Sequence, residues 1–266
     1  MSCANSYPSR MTSGIMTYEA TRRVETSART FTIVEQLDEA GPSRVSTIAA
    51  DLEMTKGIVH NHLSTLRELG YVVKVDDHYQ LSAKVLALGH RVRTNSPLYR
   101  AAHSPLKRYA KRVDTGVVLY SQTDTDAVVV DTHGLDASSD IAVGATLSLT
   151  DSLAGVVMLL AADDREPATA TTYDLDDIAS QRDADGVAVG RLSSTRSRSA
   201  CSVAITTETG GCLGSLAVLL PANDAEKRDE IQQSIAPLAE QIERRLAGDE
   251  STERSFATEK HAWIDR

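Results

Sequence analysis

The alternation of apolar and polar positions between Val45 and Leu81 predicts two short helices followed by two strands. Apolar residues recur at spacings of three and four over Val45–Leu52 and over Thr55–Leu69, which is the period of an amphipathic helix. Tyr71–Val75 and His78–Leu81 instead alternate between apolar and polar residues, as strands do. Helix, turn, helix and β-wing in this order are typical of a winged helix-turn-helix.

The residues at the element boundaries support this interpretation. Thr55 is a favourable N-cap for the second helix, Gly70 is a typical C-terminal stop, and Asp76-Asp77 suits a tight hairpin. The buried stripe of the second helix is expected to consist of Val59, Leu63, Leu66 and Leu69. His62 lies within reach of this stripe, and we expect it to be a half-buried packing residue.

The opposite face of the second helix is left for solvent or for DNA. Lys56 and Asn61 are residue types that hydrogen-bond guanine and adenine edges in the major groove, and Ile58 is able to contact a thymine methyl group. The predicted DNA-binding residues are Lys56, Gly57, Ile58, His60, Asn61, Ser64 and Arg67 on this helix and Lys74 in the wing. For any one of these residues taken alone, the alternative is an ordinary solvated surface.

Two further helical segments flank the predicted winged helix-turn-helix. Thr26–Glu39 predicts a helix that packs under it, through apolar residues at helical spacing that include Phe31 and Leu37. After the wing, Ser82–Arg93 predicts a helical linker, and the pair Ser96-Pro97 is suited to begin the next helix. The predicted winged helix-turn-helix domain therefore spans residues 19–93.

Residues 94–247 are predicted to form a second, mixed α/β domain for effector binding or oligomerisation. The expected strands are Val117–Tyr120, Ala127–Asp131, Ile141–Val143, Gly186–Val189, Cys201–Thr207 and Cys212–Leu220. The expected helices are Ser96–Val113, Ser152–Ala162, Leu175–Ser180 and Ala225–Leu246. A length of 266 residues suits two such domains, each large enough to bury a core.

Composition narrows the class of protein. There is no stretch of eighteen apolar residues and no signal-peptide core, so we expect a cytoplasmic protein without membrane contact. Three widely spaced cysteines and seven scattered histidines, without HxxxH or CxxC pairs, predict neither a disulfide framework nor a metal site or cofactor. Residues 1–18 and 248–266 lack periodicity and are expected to be disordered, with Met1, Met11 and Met16 as alternative translation starts.

The charge balance is unusual for a protein that binds DNA. The net charge is −9, yet Glu19–Arg93 contains ten basic and ten acidic residues, so the acidic excess lies elsewhere. Aspartate outnumbers glutamate and arginine outnumbers lysine, a composition that favours a host with a salty cytoplasm. In such salt, counterion release contributes little affinity, so specificity is expected to depend on base contacts, dimer geometry and ordered water.

The run from Ser46 to Gly89 resembles the DNA-binding domain of the isocitrate-lyase regulator (IclR) family of transcriptional regulators. The segments that carry the resemblance are Ile48-Ala-Ala-Asp-Leu52, Thr55-Lys56, Val59-His60, His62-Leu-Ser-Thr-Leu66, Glu68-Leu-Gly-Tyr-Val72 and Tyr79-Gln-Leu81. Weaker similarity extends over about residues 20 to 247, through Leu147–Gly155 and the later strands. The first domain carries the specific part of this resemblance.

The resemblance implies an α+β fold in which an N-terminal winged helix-turn-helix is joined by a helical linker to a C-terminal GAF-like α/β effector-binding domain. It also implies a double-stranded DNA operator as partner, a small-molecule effector, and homodimers or homotetramers. By position in the family, the candidate effector-binding residues are Leu147, Thr150, Asp151, Ser152 and Cys201.

Several positions depart from the family's pattern. A polar Thr-Ala-Leu-Gly-Lys segment is replaced by Ser152-Leu-Ala-Gly155-Val156, and a Ser-Val-Ser pair that holds a carboxylate is replaced by Ala217-Val-Leu219. The polar anchors for a small organic acid are therefore mostly absent. Either the ligand is different and more apolar, or the domain serves mainly for assembly.

Two classes of function remain open from the sequence. The first is a sequence-specific transcriptional regulator. The alternative is a protein-interaction or ligand-binding module whose winged helix no longer reads DNA sequence. We do not expect an enzyme, because Cys201, the residue considered as a nucleophile, lies in an apolar strand without a neighbouring base.

Overall fold

The structure, a computed structural model, describes residues 21–123, 126–136, 139, 141–162, 186–193 and 196–248. The chain divides into two compact units between Asn95 and Ser96, and each unit has a hydrophobic core of its own. The boundary predicted at residues 93 to 94 falls within the last helix of the first unit. None of the described helices combines the length and the apolar character that crossing a membrane requires.

Within residues 21–95, the first unit has the predicted order of helices and strands. Its elements are α1 (Glu25–Ala40), α2 (Val45–Asp51), α3 (Lys56–Glu68), β1 (Val72–Val75), β2 (His78–Leu81) and α4 (Ala83–Asn95). The strands β1 and β2 pair antiparallel, with Val72 opposite Leu81 and Val75 opposite His78. This arrangement confirms the predicted helix-turn-helix and wing.

The ends of α3 and the turn of the wing are held by the predicted residues Thr55 and Asp76 and by Lys84. The side chain of Thr55 accepts a hydrogen bond of 3.3 Å from the backbone N–H of Ile58, which caps the start of α3. At the other end, the Lys84 ammonium donates a 2.7 Å hydrogen bond to the Leu69 carbonyl. Asp76 adopts the left-handed conformation (φ 53°) that the tight turn of the wing requires.

Two predicted core positions of the first unit are wrong, because Phe31 and Leu69 are exposed. The buried residues of α1 are Ile33 and Leu37, four positions apart, and Phe31 lies on another side of that helix. Leu69 follows the last residue of α3, so the buried stripe ends at Leu66.

Among its described residues, the second unit contains one antiparallel sheet of six strands with helices on both faces. Its elements are α5 (Pro97–Val113), β3 (Val117–Gln122), β4 (Asp126–His133), β5 (Thr146–Ser148), α6 (Leu153–Ala161), β6 (Ala188–Ser193), β7 (Arg196–Thr206), β8 (Cys212–Leu219) and α7 (Ala225–Ala247). The strand order is β5-β4-β3-β8-β7-β6. Together with the first unit, this sheet confirms the predicted α+β fold class.

Alternation along the strands divides the core of the second unit into two layers. Val117 and Leu119 of β3 pack with α5 and α7, whereas Val118 and Tyr120 pack with α6 on the other face. On the first face, the Tyr109 hydroxyl lies 2.8 Å from the Ser234 hydroxyl and so links α5 to α7. Burial raises the pKa of this tyrosine.

The predicted strand at Ile141–Val143 is wrong. These residues lead into a turn at Gly144 (φ 91°), whose N–H donates to the Val129 carbonyl at 2.8 Å. The edge strand is instead β5, which pairs with β4 after this turn. The strands β6 and β7 also differ from their predicted bounds, because polar residues at this edge of the sheet continue the pairing. The short helix predicted at Leu175–Ser180 lies outside the described residues.

Candidate nucleic-acid interface and ligand site

The outward surface of α3 carries seven of the eight predicted DNA-binding residues. Lys56, Gly57, His60, Asn61, Ser64 and Arg67 are exposed, and Ile58 is half-buried. The opposite face of the helix is buried through Val59, Leu63 and Leu66. Because the exposed residues follow one another at spacings of three and four, they form one continuous surface along the helix.

The first turn of α3 is open to a close approach of DNA. Gly57 is the second residue of the helix, and a Cβ atom built on it meets no other atom within 4 Å. Packing therefore does not require glycine at this position, and the backbone surface it exposes is free. The N–H groups of this first turn carry partial positive charge, which attracts phosphate.

The predicted DNA-binding side chains are available for an external partner. None of the seven on α3 makes a hydrogen bond or an ion pair through its side chain with another residue in the part of the chain that the structure describes; the bonds of Ile58 and Asn61 with neighbouring threonines use backbone atoms. Lys74 is exposed on β1, with its ammonium 5.6 Å from the centre of the Tyr79 ring. The neighbouring cation Lys84 is occupied instead, because it caps α3 and lies over the Tyr71 ring at 4.3 Å.

The tip of the wing is acidic rather than basic. Asp76 and Asp77 are both exposed in the turn between β1 and β2. Their carboxylates repel phosphate groups, so this tip is poorly suited to follow a DNA backbone. The arrangement favours contact through α3, with Lys74 as the cation that the wing contributes.

His62 has a structural environment, unlike the outward residues of α3. Its side chain is half-buried, and its Nδ1 atom lies 2.8 Å from the Thr30 hydroxyl of α1. This contact between α1 and α3 agrees with the predicted packing role.

The predicted effector-binding residues do not come together at one site. Leu147, Thr150, Asp151 and Ser152 lie on β5 and just before α6, on the face of the sheet that α6 covers. Cys201 is fully buried among residues of the opposite layer, with its Sγ atom 3.9 Å from the Val218 carbonyl. Alternation along β7 is the reason, because Cys201 faces α5 and α7 while Ala200 faces α6.

Two buried serines on the α6 side of the sheet have different environments. Ser152 is the N-cap of α6, since its hydroxyl accepts from the Gly155 N–H at 3.1 Å and donates to the Ser148 carbonyl at 3.0 Å. The helix predicted to begin at Ser152 begins instead at Leu153, one residue later. Ser215 on β8 is fully buried, and its hydroxyl has no hydrogen-bond partner among the described residues. It was not among the predicted residues, because its burial depends on long-range strand pairing.

A cavity of about 490 Å³ lies at another end of the second unit. Asp114, Gly134, Asp136 and Arg198 are among its lining residues, and none of the predicted effector residues is. Both acidic and basic groups border this cavity, so it does not select one sign of ligand charge.

Three residues with metal-ligand atoms meet at a further place in the second unit. His103, Asp131 and His133 present atoms that all lie within 4.8 Å of one another. The sequence search for paired histidines or cysteines missed this group, since His103 lies far from the other two along the chain. Its local signal is the pair Asp131 and His133, two positions apart on one strand.

Comparison with known proteins agrees with this architecture. Residues 31–74, from α1 to β1, match the helix-turn-helix family described as bacterial regulatory protein, arsR family. The chain is also similar to the "Probable HTH-type transcriptional regulator ArcR" of Halobacterium salinarum, with 23% identity over 110 residues. That similarity covers 41% of this chain and 42% of the relative, so the chain spans less than half the length of the curated protein it matches.

Solved structures resemble the chain over most of its length. The IclR transcriptional regulator of Alicyclobacillus acidocaldarius superimposes with a TM-score of 0.68 and 17% identity, over 85% of this chain and 100% of that one. The Thermotoga maritima IclR gives a TM-score of 0.60 and 21% identity, over 84% and 99%. An IclR homologue from Microbacterium hydrocarbonoxydans, complexed with 4-hydroxybenzoate, gives 0.65 and 18%, over 84% and 100%.

These similarities define the class of fold. The chain has the architecture of IclR transcriptional regulators, with an N-terminal helix-turn-helix region and a C-terminal domain built on a curled antiparallel sheet. The proteins it resembles are transcriptional regulators that carry a DNA-binding helix-turn-helix.

Proposed function

We propose that this chain is a sequence-specific transcriptional regulator that binds double-stranded operator DNA in the cytoplasm. The observation that carries the proposal is the polar face of α3, which projects from a winged helix-turn-helix and makes no side-chain hydrogen bond to other described residues. A helix so presented enters the major groove, where side chains contact base edges. The proposal includes no reaction, and Cys201, the residue considered as a nucleophile, is fully buried.

The residues of α3 divide into two roles. Lys56 and Asn61 are the base-reading residues, since ammonium and amide groups distinguish guanine and adenine edges. Arg67 and Lys74 are the phosphate contacts, because exposed cations near the groove bind the backbone without reading sequence. Gly57 and Ile58 permit close approach, and His60 and Ser64 complete the surface.

A homodimer is the assembly that the winged helix-turn-helix needs to bind a near-palindromic operator. Two recognition helices on a near-palindromic operator enter successive major grooves about 34 Å apart. The linker helix α4 supports a contact between two copies, because no residue of its 13-residue length is buried. Val85, Leu88 and Val92 follow at helical spacing on it, with Leu88 44% and Val92 74% exposed.

The experiment that tests DNA reading is selection of bound sequences from a random DNA pool, at moderate and at high salt. We expect an inverted repeat from the wild-type protein. In Lys56→Ala/Asn61→Ala the preference at the contacted bases weakens by about 1–3 kcal/mol per lost contact. Lys107→Ala/Gln241→Ala is the matched control, because both residues are exposed on helices of the other unit.

Either of two outcomes contradicts operator reading. One is a folded wild-type protein that recovers no motif at either salt concentration. The other is a motif that the Lys56→Ala/Asn61→Ala variant recovers unchanged. Both outcomes favour an interaction module whose winged helix no longer reads DNA, and circular dichroism of each variant establishes that it is folded.

The second unit is proposed to bind a small-molecule effector on the face of the sheet that α6 covers. The layer there is apolar, and the unpartnered hydroxyl of Ser215 supplies one hydrogen-bonding group. Leu147, Thr150, Asp151 and Ser152 border this side, whereas Cys201 faces the other layer and is left out. A small aromatic compound with a hydroxyl group matches this chemistry. The Microbacterium homologue is complexed with 4-hydroxybenzoate, which carries such a hydroxyl opposite a carboxylate.

Such an effector acts by shifting the population of DNA-binding arrangements. It does so only to the extent that it binds one arrangement more tightly than another. The route is the linker, since α4 and α5 are consecutive helices between the reader and the sheet.

We also propose that the host organism has a salt-rich cytoplasm. The net charge of −9 supports it, and one similar protein is from Halobacterium salinarum. Acidic surfaces keep proteins soluble in concentrated salt, and the operator affinity there depends little on counterion release.

A further inference from the structure

A His-Asp-His cluster joins helix α5 to strand β4 in the second unit. The Nδ1 atom of His103 lies 2.7 Å from Asp131 Oδ2, and the Nε2 atom of His133 lies 3.1 Å from the same oxygen. The Asp131 side chain is 2% exposed and the His103 side chain 37% exposed. One carboxylate oxygen thus stands between two imidazole nitrogens, with a path to solvent on the His103 side.

An irregularity in the sheet directs the acidic residue toward α5. Leu119 of β3 pairs with Asp131, and the next residue, Tyr120, pairs with Val129, so Val130 is an extra residue in β4. Such a bulge re-aims the side chains that follow it. Asp131 and His133, two positions apart, consequently face α5, whereas Val129 faces α6.

Neighbouring groups hold the cluster in this orientation. The second carboxylate oxygen of Asp131 accepts a 3.1 Å hydrogen bond from the Thr132 N–H. The Tyr99 ring lies one turn before His103 on α5, with the two ring centres 5.1 Å apart. Ligand sets of metal proteins are oriented by outer contacts of this kind.

We propose that His103, Asp131 and His133 bind a divalent transition-metal ion of the zinc type. Two imidazole nitrogens and one carboxylate oxygen are ligands that Zn²⁺ prefers, at about 2.0–2.2 Å. Two ligands of a tetrahedral ion at that distance stand about 3.3 Å apart. The His133–Asp131 pair, at 3.1 Å, would need to open by about 0.2 Å, and the His103–Asp131 pair, at 2.7 Å, by about 0.6 Å. Three protein ligands leave a fourth position for water or a small anion, on the exposed side of His103.

The site does not depend on the proposed DNA-binding function. A bound ion ties α5 to strand β4 of the sheet, and α5 is the first helix after the linker α4. The ion therefore stabilises the second unit where the chain enters it.

The test uses untagged full-length protein, dialysed against EDTA and titrated with Zn²⁺ by calorimetry and with Co²⁺ by absorption spectroscopy. We expect one ion per chain and the visible bands of tetrahedral Co²⁺ in the wild type. His103→Gln and His133→Gln each lose a ligand, so their affinity falls by more than about tenfold, the lower limit for removing even an outer-shell partner. His90→Gln, which replaces an exposed histidine of α4, is the matched control and keeps wild-type affinity.

Two variants from separate elements keep the test decisive if one of them fails to fold. Absence of binding to the folded wild type overturns the proposal, and the cluster is then a set of hydrogen bonds that satisfies the buried carboxylate. Binding that persists at full strength in both ligand variants also overturns it, since the ion then lies elsewhere.

Discussion

At the scale of single residues, Ser215 and Ser202 present opposite environments in one layer of the sheet. Ser202 is fully buried and donates a 2.7 Å hydrogen bond to the Leu216 carbonyl. Ser215 is equally buried but has no partner for its hydroxyl within the described residues. A buried hydroxyl without a partner costs about 1–3 kcal/mol of stability, so the Ser215 hydroxyl does not stabilise the fold.

The substitution Ser215→Ala is therefore expected to leave the free energy of unfolding unchanged or raise it by up to about 2 kcal/mol. Ser202→Ala, the matched control, is expected to lower it by about 1 kcal/mol, because it removes a made hydrogen bond. Urea unfolding of the three proteins measures both differences. A clear loss of stability in Ser215→Ala would show that its hydroxyl has a partner in folding.

The same variants test the ligand site with 4-hydroxybenzoate as probe. Binding measured by calorimetry should weaken in Ser215→Ala and persist in Ser202→Ala. If the wild-type protein does not bind this probe, an aromatic acid is the wrong ligand class. Equal binding of 4-hydroxybenzoate to both variants would instead show that the ligand does not contact Ser215.

Residue roles that depend on local sequence could be predicted, and those that depend on distant partners could not. Thr55 caps α3 as its sequence neighbours indicate, because an N-cap bonds within its own helix. Cys201 was assigned to the effector site by position in the family, yet its burial with α5 and α7 depends on the register of β7. A shift of one residue along a strand exchanges the two faces.

At the scale of elements, α4 buries too little apolar surface within its own chain to be stable as a helix by packing. A helix of 13 residues is marginal in water without packing, and no residue of α4 is buried. Its stripe of Val85, Leu88 and Val92 accordingly needs a partner surface, for which we propose a second copy of the chain.

The double substitution Leu88→Asp/Val92→Asp is expected to convert a dimer into a monomer at micromolar concentration, because it places two charges in an apolar contact. Light scattering coupled to size-exclusion chromatography measures the mass. Leu86→Asp is the control, since Leu86 is 74% exposed on another side of the same helix. A dimer that survives the double substitution would place the contact elsewhere.

The helices were predicted more accurately than the edge of the sheet. Capped helices with long periodic patterns, such as α5 and α7, have local signals at both ends. The strand predicted at Ile141–Val143 is a turn, and the three residues of β5 follow it, because an edge strand is defined by its pairing with β4. Short apolar runs carry no information about such pairing.

At the scale of the whole molecule, the small number of basic residues on the proposed DNA-binding surface sets the salt dependence of DNA binding. Lys56, Arg67 and Lys74 are the cations on the proposed surface, so a protomer neutralises about three phosphates at most. The logarithm of the affinity should then fall with the logarithm of salt concentration with a slope no steeper than about −3 per protomer. Fluorescence anisotropy with a selected operator measures this slope. A steeper slope would contradict the prediction that only about three phosphates are neutralised per protomer.

Removing the acidic charges at the tip of the wing gives a second test of how charge affects DNA binding. Asp76→Asn/Asp77→Asn removes two exposed charges, and asparagine tolerates the left-handed conformation of Asp76. We expect tighter binding than wild type in dilute salt and equal binding in molar salt, where the charges are screened.

The sequence by itself determined the features of this protein that arise from local periodicity and end signals. It predicted the winged helix-turn-helix, the helical linker and the outward residues of α3, such as Lys56 and Asn61. An amphipathic helix divides its own residues between core and solvent, so its exposed face can be inferred before the fold is known.

Only the tertiary structure decided which distant residues meet. The bulge at Val130 brings Asp131 and His133 to His103, and strand pairing buries Ser215 while separating Cys201 from Leu147. These placements follow from register and packing between elements far apart in the chain. Such contacts leave no periodic signal in the sequence, because the two partners of each contact are chosen by the fold.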